Sequence, residues 1–149
     1  DNHFVKIIID DNKKIARIEN YISELATTPM DIGAVIQELI EVRKRLFERG
    51  FDAKEFIERL FHDYKVVRKS EKIKEGEAIS IRRITGRRGK NVKGFRVDEF
   101  SVDLSRLLED GVTTTKNGYR LRLEQTKNTK QGIMLPGDHG YIGFIRFEK

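Results

Sequence analysis

Seven cations fall within fifteen residues: Arg82, Arg83, Arg87, Arg88, Lys90, Lys93 and Arg96, with no acidic side chain among them. Guanidinium forks match phosphate oxygens two at a time, and lysine adds a mobile point charge. Gly86, Gly89 and Gly94 punctuate the run. Read as a glycine-rich loop over 86–94, it lets the backbone approach a phosphate closely. The chemistry on offer is polyanion binding. The spacing fits neither a Walker A loop nor a dinucleotide fingerprint, so a nucleotide cofactor is not expected. Lys116, Arg120 and Arg122 form a second basic group. Arg120 and Arg122 alternate with Tyr119, Leu121 and Leu123, which puts the two arginines on the outer face of a strand.

Other chemistry finds little support. The histidines are His3, His62 and His139, and none has the spacing of a metal ligand pair. Asp138-His139-Gly140 reads as a turn. Asp98, Glu99, Glu124 and Lys127 supply the residue types of a nuclease centre, but not at the strand-borne spacing. A nuclease therefore stands only as the enzymatic alternative to a non-enzymatic protein. The absence of cysteine excludes disulfides and thiol catalysis. No metal and no cofactor are called for.

The charge is uneven. Residues 1–75 carry 15 basic and 15 acidic side chains, and residues 76–149 carry 15 and 9, so the whole net charge of +6 lies in the second half. Such an excess favours polyanionic partners, nucleic acid first. Apolar residues make up 38% of the chain, yet no stretch is long enough to span a bilayer. No membrane partner is expected, and an intracellular location, cytoplasmic or nucleoid-associated, fits. The chain opens at Asp1 without methionine, as a fragment or processed product would.

These groups need elements to hold them. Phe4, Ile8, Ile15, Ile18, Ile22 and Leu25 recur at helical steps, although Val5, Ile7 and Ile9 also alternate as a short strand would. Thr28-Pro29-Met30-Asp31 reads as a helix start, with Thr28 as cap and Pro29 in the first turn. Ile32, Val35, Ile36, Leu39, Val42, Leu46 and Phe47 make the next stripe, closed by Gly50. Asp52 caps a third helix with Glu55 at the capping-box position; Phe56, Ile57, Leu60, Phe61 and Tyr64 form its buried face. A short strand near Ile79 turns helical around Ile84. Val97 to Glu109 is helical and stops at Gly111. Asn117-Gly118 predicts a hairpin over 113–125. Pro136-Gly137 marks a turn before a last strand over 141–147.

The succession from Ala53 on is helix, short strand, short helix, loop, helix and hairpin. Asp98-Glu99-Phe100 leads through Leu104, Leu107, Leu108 and Gly111 into Tyr119-Arg120-Leu121. This pattern, over residues 53–125, resembles the winged helix-turn-helix superfamily. The resemblance implies a wing that rests on the DNA backbone and a recognition helix over 97–109. That helix presents Glu99, Asp103, Glu109 and Asp110 with only Arg106 to offset them, so a major groove would repel it.

The sequence therefore predicts an α+β chain. Residues 1–50 form a helical hairpin suited to oligomerisation, and residues 51–149 form a winged-helix-like basic domain. The expected function is nucleic-acid binding, DNA in preference to RNA, in transcription or genome maintenance. The expected site is Arg82, Arg83, Arg87, Arg88, Lys90, Lys93, Arg96, Lys116, Arg120 and Arg122. The expected protein partner is a second copy, giving a homodimer, or a larger assembly. The alternative is a protein-interaction module or subunit with the acidic helix 97–109 as its partner surface.

Overall fold

Isoleucine-rich segments open the chain, and they form strands rather than the expected helical hairpin. The computed structural model describes residues 4–20 and 23–149. Within it β1 (Lys6–Asp10), β2 (Ile15–Glu19) and β3 (Glu24–Pro29) make an antiparallel meander in the order β1-β2-β3. Two local causes override the helical spacing. Consecutive β-branched residues at Ile7, Ile8 and Ile9 lose rotamer freedom in a helix and pack well on a pleated surface. The Asp10 carboxylate then accepts hydrogen bonds from the backbone N–H groups of Asn12 and Lys13 at 3.1 and 3.0 Å, which turns the chain back. Phe4, Ile8, Ile15, Ile18 and Leu25 thus lie on or beside strands, while His3 and Ile22 fall outside the described residues.

Thr28 is buried in β3 and Pro29 closes that strand, so neither begins a helix. The cap of α1 (Ile32–Phe47) is Asp31, whose side chain accepts from the Ala34 N–H at 3.0 Å. The helix ends at Glu48, before Gly50. Val42 and Leu46 pack with Ile18 and Phe4 over the meander, and Val102 and Met134 from the second half join this cluster.

The second core belongs to residues 53 onward. Asp52 caps α2 (Ala53–Ser70) by accepting from the Glu55 N–H at 3.1 Å. Then come β4 (Ile79–Ser80), α3 (Ile81–Asn91), α4 (Val97–Glu109), β5 (Arg120–Gln125), β6 (Ile133–Met134) and β7 (Tyr141–Glu148). The sheet runs β4-β7-β5, all antiparallel, with β6 on β7. Its inner face, through Leu121, Ile145 and Phe147, meets Ile57, Leu60, Tyr64, Ile84 and Leu104 from the helices. Each fully buried aliphatic side chain here contributes roughly 1.5–3 kcal/mol.

Two further expectations change. The segment 86–94 is not a loop: α3 continues to Asn91 and only the 92–96 turn follows. Asn117-Gly118 does turn the chain, with Gly118 at φ 86° and its N–H donating to the Thr115 carbonyl at 3.0 Å. That turn leaves only a single bridge between Thr114 and Arg120. The true partner of β5 is the last strand, β7, which is the central strand of the sheet.

Candidate nucleic-acid interface

The solvent face of α3 is set by what the helix buries. Ile81, Ile84 and Thr85 point into the core, which leaves Arg82, Arg83, Gly86, Gly89 and Lys90 exposed and Arg87 half-buried at their flank. No acidic residue occurs between Glu77 and Asp98. Arg83 pairs with Glu71 at the end of α2, and this hydrogen bond and charge raise its pKa above the ordinary arginine value. Arg87, Lys90 and Lys93 have no side-chain hydrogen bond or ion pair among the described residues.

Arg82 does structural work that the sequence did not announce. Its Nε donates to the Gly132 carbonyl at 3.0 Å and a terminal nitrogen donates to the Thr129 carbonyl at 2.9 Å. These bonds fasten the 126–132 segment, which leads from β5 towards β6, against α3. The segment is tightly folded: Thr126 Oγ1 accepts from the Asn128 N–H and Asn128 Oδ1 accepts from the Lys130 N–H, at 3.1 and 3.0 Å. Lys127 and Lys130 are exposed on it, so the segment held against α3 carries two lysines outside the expected nucleic-acid site, Lys127 having entered only among the nuclease residue types. The Lys-Asn-Thr-Lys pattern of cations between turn formers was the available signal.

Other expected site residues are placed elsewhere. Arg88 turns inward, where its Nε donates to the buried Asp63 of α2 and its guanidinium lies 6.0 Å from the Phe95 ring centre. Arg96 holds Asp98 at 3.0 Å. Lys116, Arg120 and Arg122 do not join α3. Leu121 points into the helical layer, so its neighbours Arg120 and Arg122 point to the opposite face of the sheet. There Arg122 pairs with Glu148 at 2.8 Å, and Arg146 lies 3.9 Å from both Glu124 and Glu148. That face is a lattice of both signs. The Arg122 hydrogen bond is also the main reason Glu148 titrates below the ordinary carboxylate value.

The acidic helix is already occupied. Arg45 of α1 bonds Asp98 at 3.0 Å and reaches Glu99 at 3.6 Å, while Arg49 bonds Asp103 at 3.0 Å. Arg106 answers from α4 by donating to the Arg49 carbonyl at 2.9 Å and to the Phe47 carbonyl. The α1 helix therefore lies across the face that would enter a groove, leaving only Glu109 and Asp110 fully exposed. Asp98 is wholly buried. Burial alone would raise its pKa, but the hydrogen bonds and charges of Arg45 and Arg96 outweigh burial and hold it below the ordinary value.

Between the end of α1, the start of α2 and the 92–96 turn lies a cavity of about 570 Å³. Phe51, Phe56, Phe95 and Phe100 line it. Arg49, Arg59, Arg88, Lys93 and Arg96 meet Asp52, Glu55, Glu99 and Asp103 there, and with Arg88 paired to Asp63 the remaining charges are even, so the cavity offers little net pull on an anion. Of the residue types a nuclease would use, Asp98 and Glu99 share Arg45, and Glu124 lies 3.9 Å from Arg146. Among the described residues no helix is long and apolar enough to cross a membrane. The chain matches no family model, no curated protein and no solved structure.

Proposed function

We propose that this chain binds nucleic acid, double-stranded DNA in preference to RNA, through the phosphate backbone and without reading bases in the major groove. One observation carries the reading: an acid-free helical face to which Arg82 fastens a second cationic segment. Arg87, Lys90 and Lys93 on one side and Lys127 and Lys130 on the other have no side-chain hydrogen bond or ion pair among the described residues. The order α2-β4-α3-α4-β5-β7 and the sheet order β4-β7-β5 support a winged-helix reading of residues 53–149, with 126–140 as its wing. The burial of α4 under α1 argues against the docking usual for that fold, in which the equivalent of α4 lies in the groove. The remaining mode is edge contact, which positions a protein on DNA but does not select a sequence.

A salt titration of binding to duplex DNA tests the reading. Arg87→Ala/Lys90→Ala/Lys93→Ala should weaken binding and flatten the slope of log affinity against log salt by roughly 2–3. Arg120→Ala/Arg122→Ala, on the mixed-charge face, should change the slope little. No binding at low salt, or equal losses from both variants, would overturn it.

A further inference from the structure

The sheet order leaves β1 as an edge strand, and its sequence is Lys6-Ile7-Ile8-Ile9-Asp10. Ile7 pairs with Ile18 and Ile9 with Ala16, and both of those partners are fully buried on the side that α1 covers. Ile7 and Ile9 share that side, yet they are 42% and 53% exposed, because α1 packs chiefly over β3. On α1, Ile32, Ile36 and Ile40 are 80%, 52% and 43% exposed. They form an i, i+4, i+8 stripe on the flank turned away from Arg45 and Arg49. The same flank carries Arg43 and Phe47, which line a groove with Phe4 and Val5 at the approach to β1. An open strand edge and an apolar helix flank therefore border one another. Exposed apolar edges of this kind pair with another strand unless something blocks them.

We propose that this surface pairs with a second copy of the chain, β1 against β1, through a two-fold axis at Ile8. The strand itself names the occupant, because it is complementary to its own reverse. Antiparallel pairing centred on Ile8 sets Lys6 opposite Asp10 of the partner subunit and Ile7 opposite Ile9 of the partner subunit. The same two contacts repeat across the axis. Whichever alternate backbone groups of β1 face outward, this register satisfies them, since both sets are symmetric about Ile8. The result is a continuous six-stranded sheet. The axis runs perpendicular to it, so both α1 helices lie on one face with their isoleucine flanks turned towards each other. This inference is independent of nucleic-acid binding, since no residue of α3 or the 126–132 segment takes part.

Sedimentation of the full chain over a concentration series tests it. The wild type should be a dimer, and Ile9→Lys, at an exposed position, should be a folded monomer that melts where the wild type melts once diluted to its own monomer. Ile7→Asp should weaken self-association as well, because it sets a carboxylate against isoleucine at both contacts. Mixing Ile7→Asp with Ile9→Lys sets one carboxylate opposite one ammonium and leaves the other contact isoleucine on isoleucine, so native mass spectrometry should show the heterodimer in preference to either homodimer. A wild-type chain that stays monomeric at its highest soluble concentration overturns the proposal. So does a dimer that Ile9→Lys leaves intact, or a mixture in which the heterodimer is not favoured.

Discussion

Arg82 on α3 donates its Nε–H to the carbonyl oxygen of Gly132, fifty positions further along the chain, at 3.0 Å. With the second bond to Thr129, one planar side chain holds two carbonyls of the same segment. Lysine has the charge but not the fork. Arg82→Lys should therefore keep the net charge and still release the segment, with a loss of stability of about 1 kcal/mol, discounted for the exposure of Arg82. Hydrogen exchange over 126–132 should accelerate in Arg82→Lys and Arg82→Ala alike. An unchanged exchange pattern in Arg82→Lys would mean that charge alone seats the segment.

Thr126 sits in a slot between two glycines. A Cβ at Gly143 would come within 2.8 Å of Thr126 Cβ, and one at Gly132 within 2.6 Å of Thr126 Cγ2 and 2.8 Å of the Ile142 carbonyl. These are overlaps with branched side chain and backbone, not with a flexible tip. Gly143→Ala should cost about 1–3 kcal/mol of stability. Thr126→Gly in the same chain should recover part of that by emptying the slot, an effect that thermal melts of the single and double variants would read directly.

What the sequence disclosed depended on how local the determining forces were. Asp52 with Glu55, the apolar face of α2, and Val97 to Glu109 were legible because caps and helical periodicity act within a few residues. The alternation of Val5, Ile7 and Ile9 marked β1, but the meander as a whole was misread, since short strands spaced by turns reproduce helical steps by accident, and the Asp10 turn that decides between them is a single carboxylate. Gly86 and Gly89 suggested a loop, yet burial of Ile81, Ile84 and Thr85 holds them in α3. The candidate site was legible only in its residue types. Cations can be counted in a sequence, but which of them are consumed by buried carboxylates, as Arg88 and Arg96 are, depends on contacts 25 residues away in one case and two in the other. The role of α1 as a cover for α4 rests on Arg45 and Arg49 meeting residues more than fifty positions on, and no local pattern marks it.

Asp98 gives this cover a pH dependence. Its folded-state pKa is depressed, so its contribution is fully present above the unfolded value of about 3.9 and is lost as pH falls through the ordinary carboxylate range towards the folded value. Asp98→Asn should lower stability by about 1–2 kcal/mol at neutral pH, a modest figure because the arginines left behind stay partly exposed. Denaturant melts at a series of pH values should show the gap between variant and wild type closing as the solution is acidified below about pH 4. A gap that is constant across the series would mean that the Asp98 side chain matters for its shape and not for its charge.

Arg88 separates binding from folding. It stands in the middle of the basic run, yet its guanidinium is spent on Asp63, and the two side chains are 13% and 11% exposed. Removing one partner strands the other charge in the interface between α2 and α3, whereas removing both leaves an apolar gap that hydrocarbon can fill. Arg88→Ala should therefore cost about 3 kcal/mol, and Arg88→Met/Asp63→Leu should recover most of it. DNA affinity, measured below the melting transition of each variant, should be close to wild type in the double variant, because no phosphate contact has been lost. If affinity instead falls tenfold while stability is restored, Arg88 reaches the ligand, and the α3 face must open from Asp63 when nucleic acid binds.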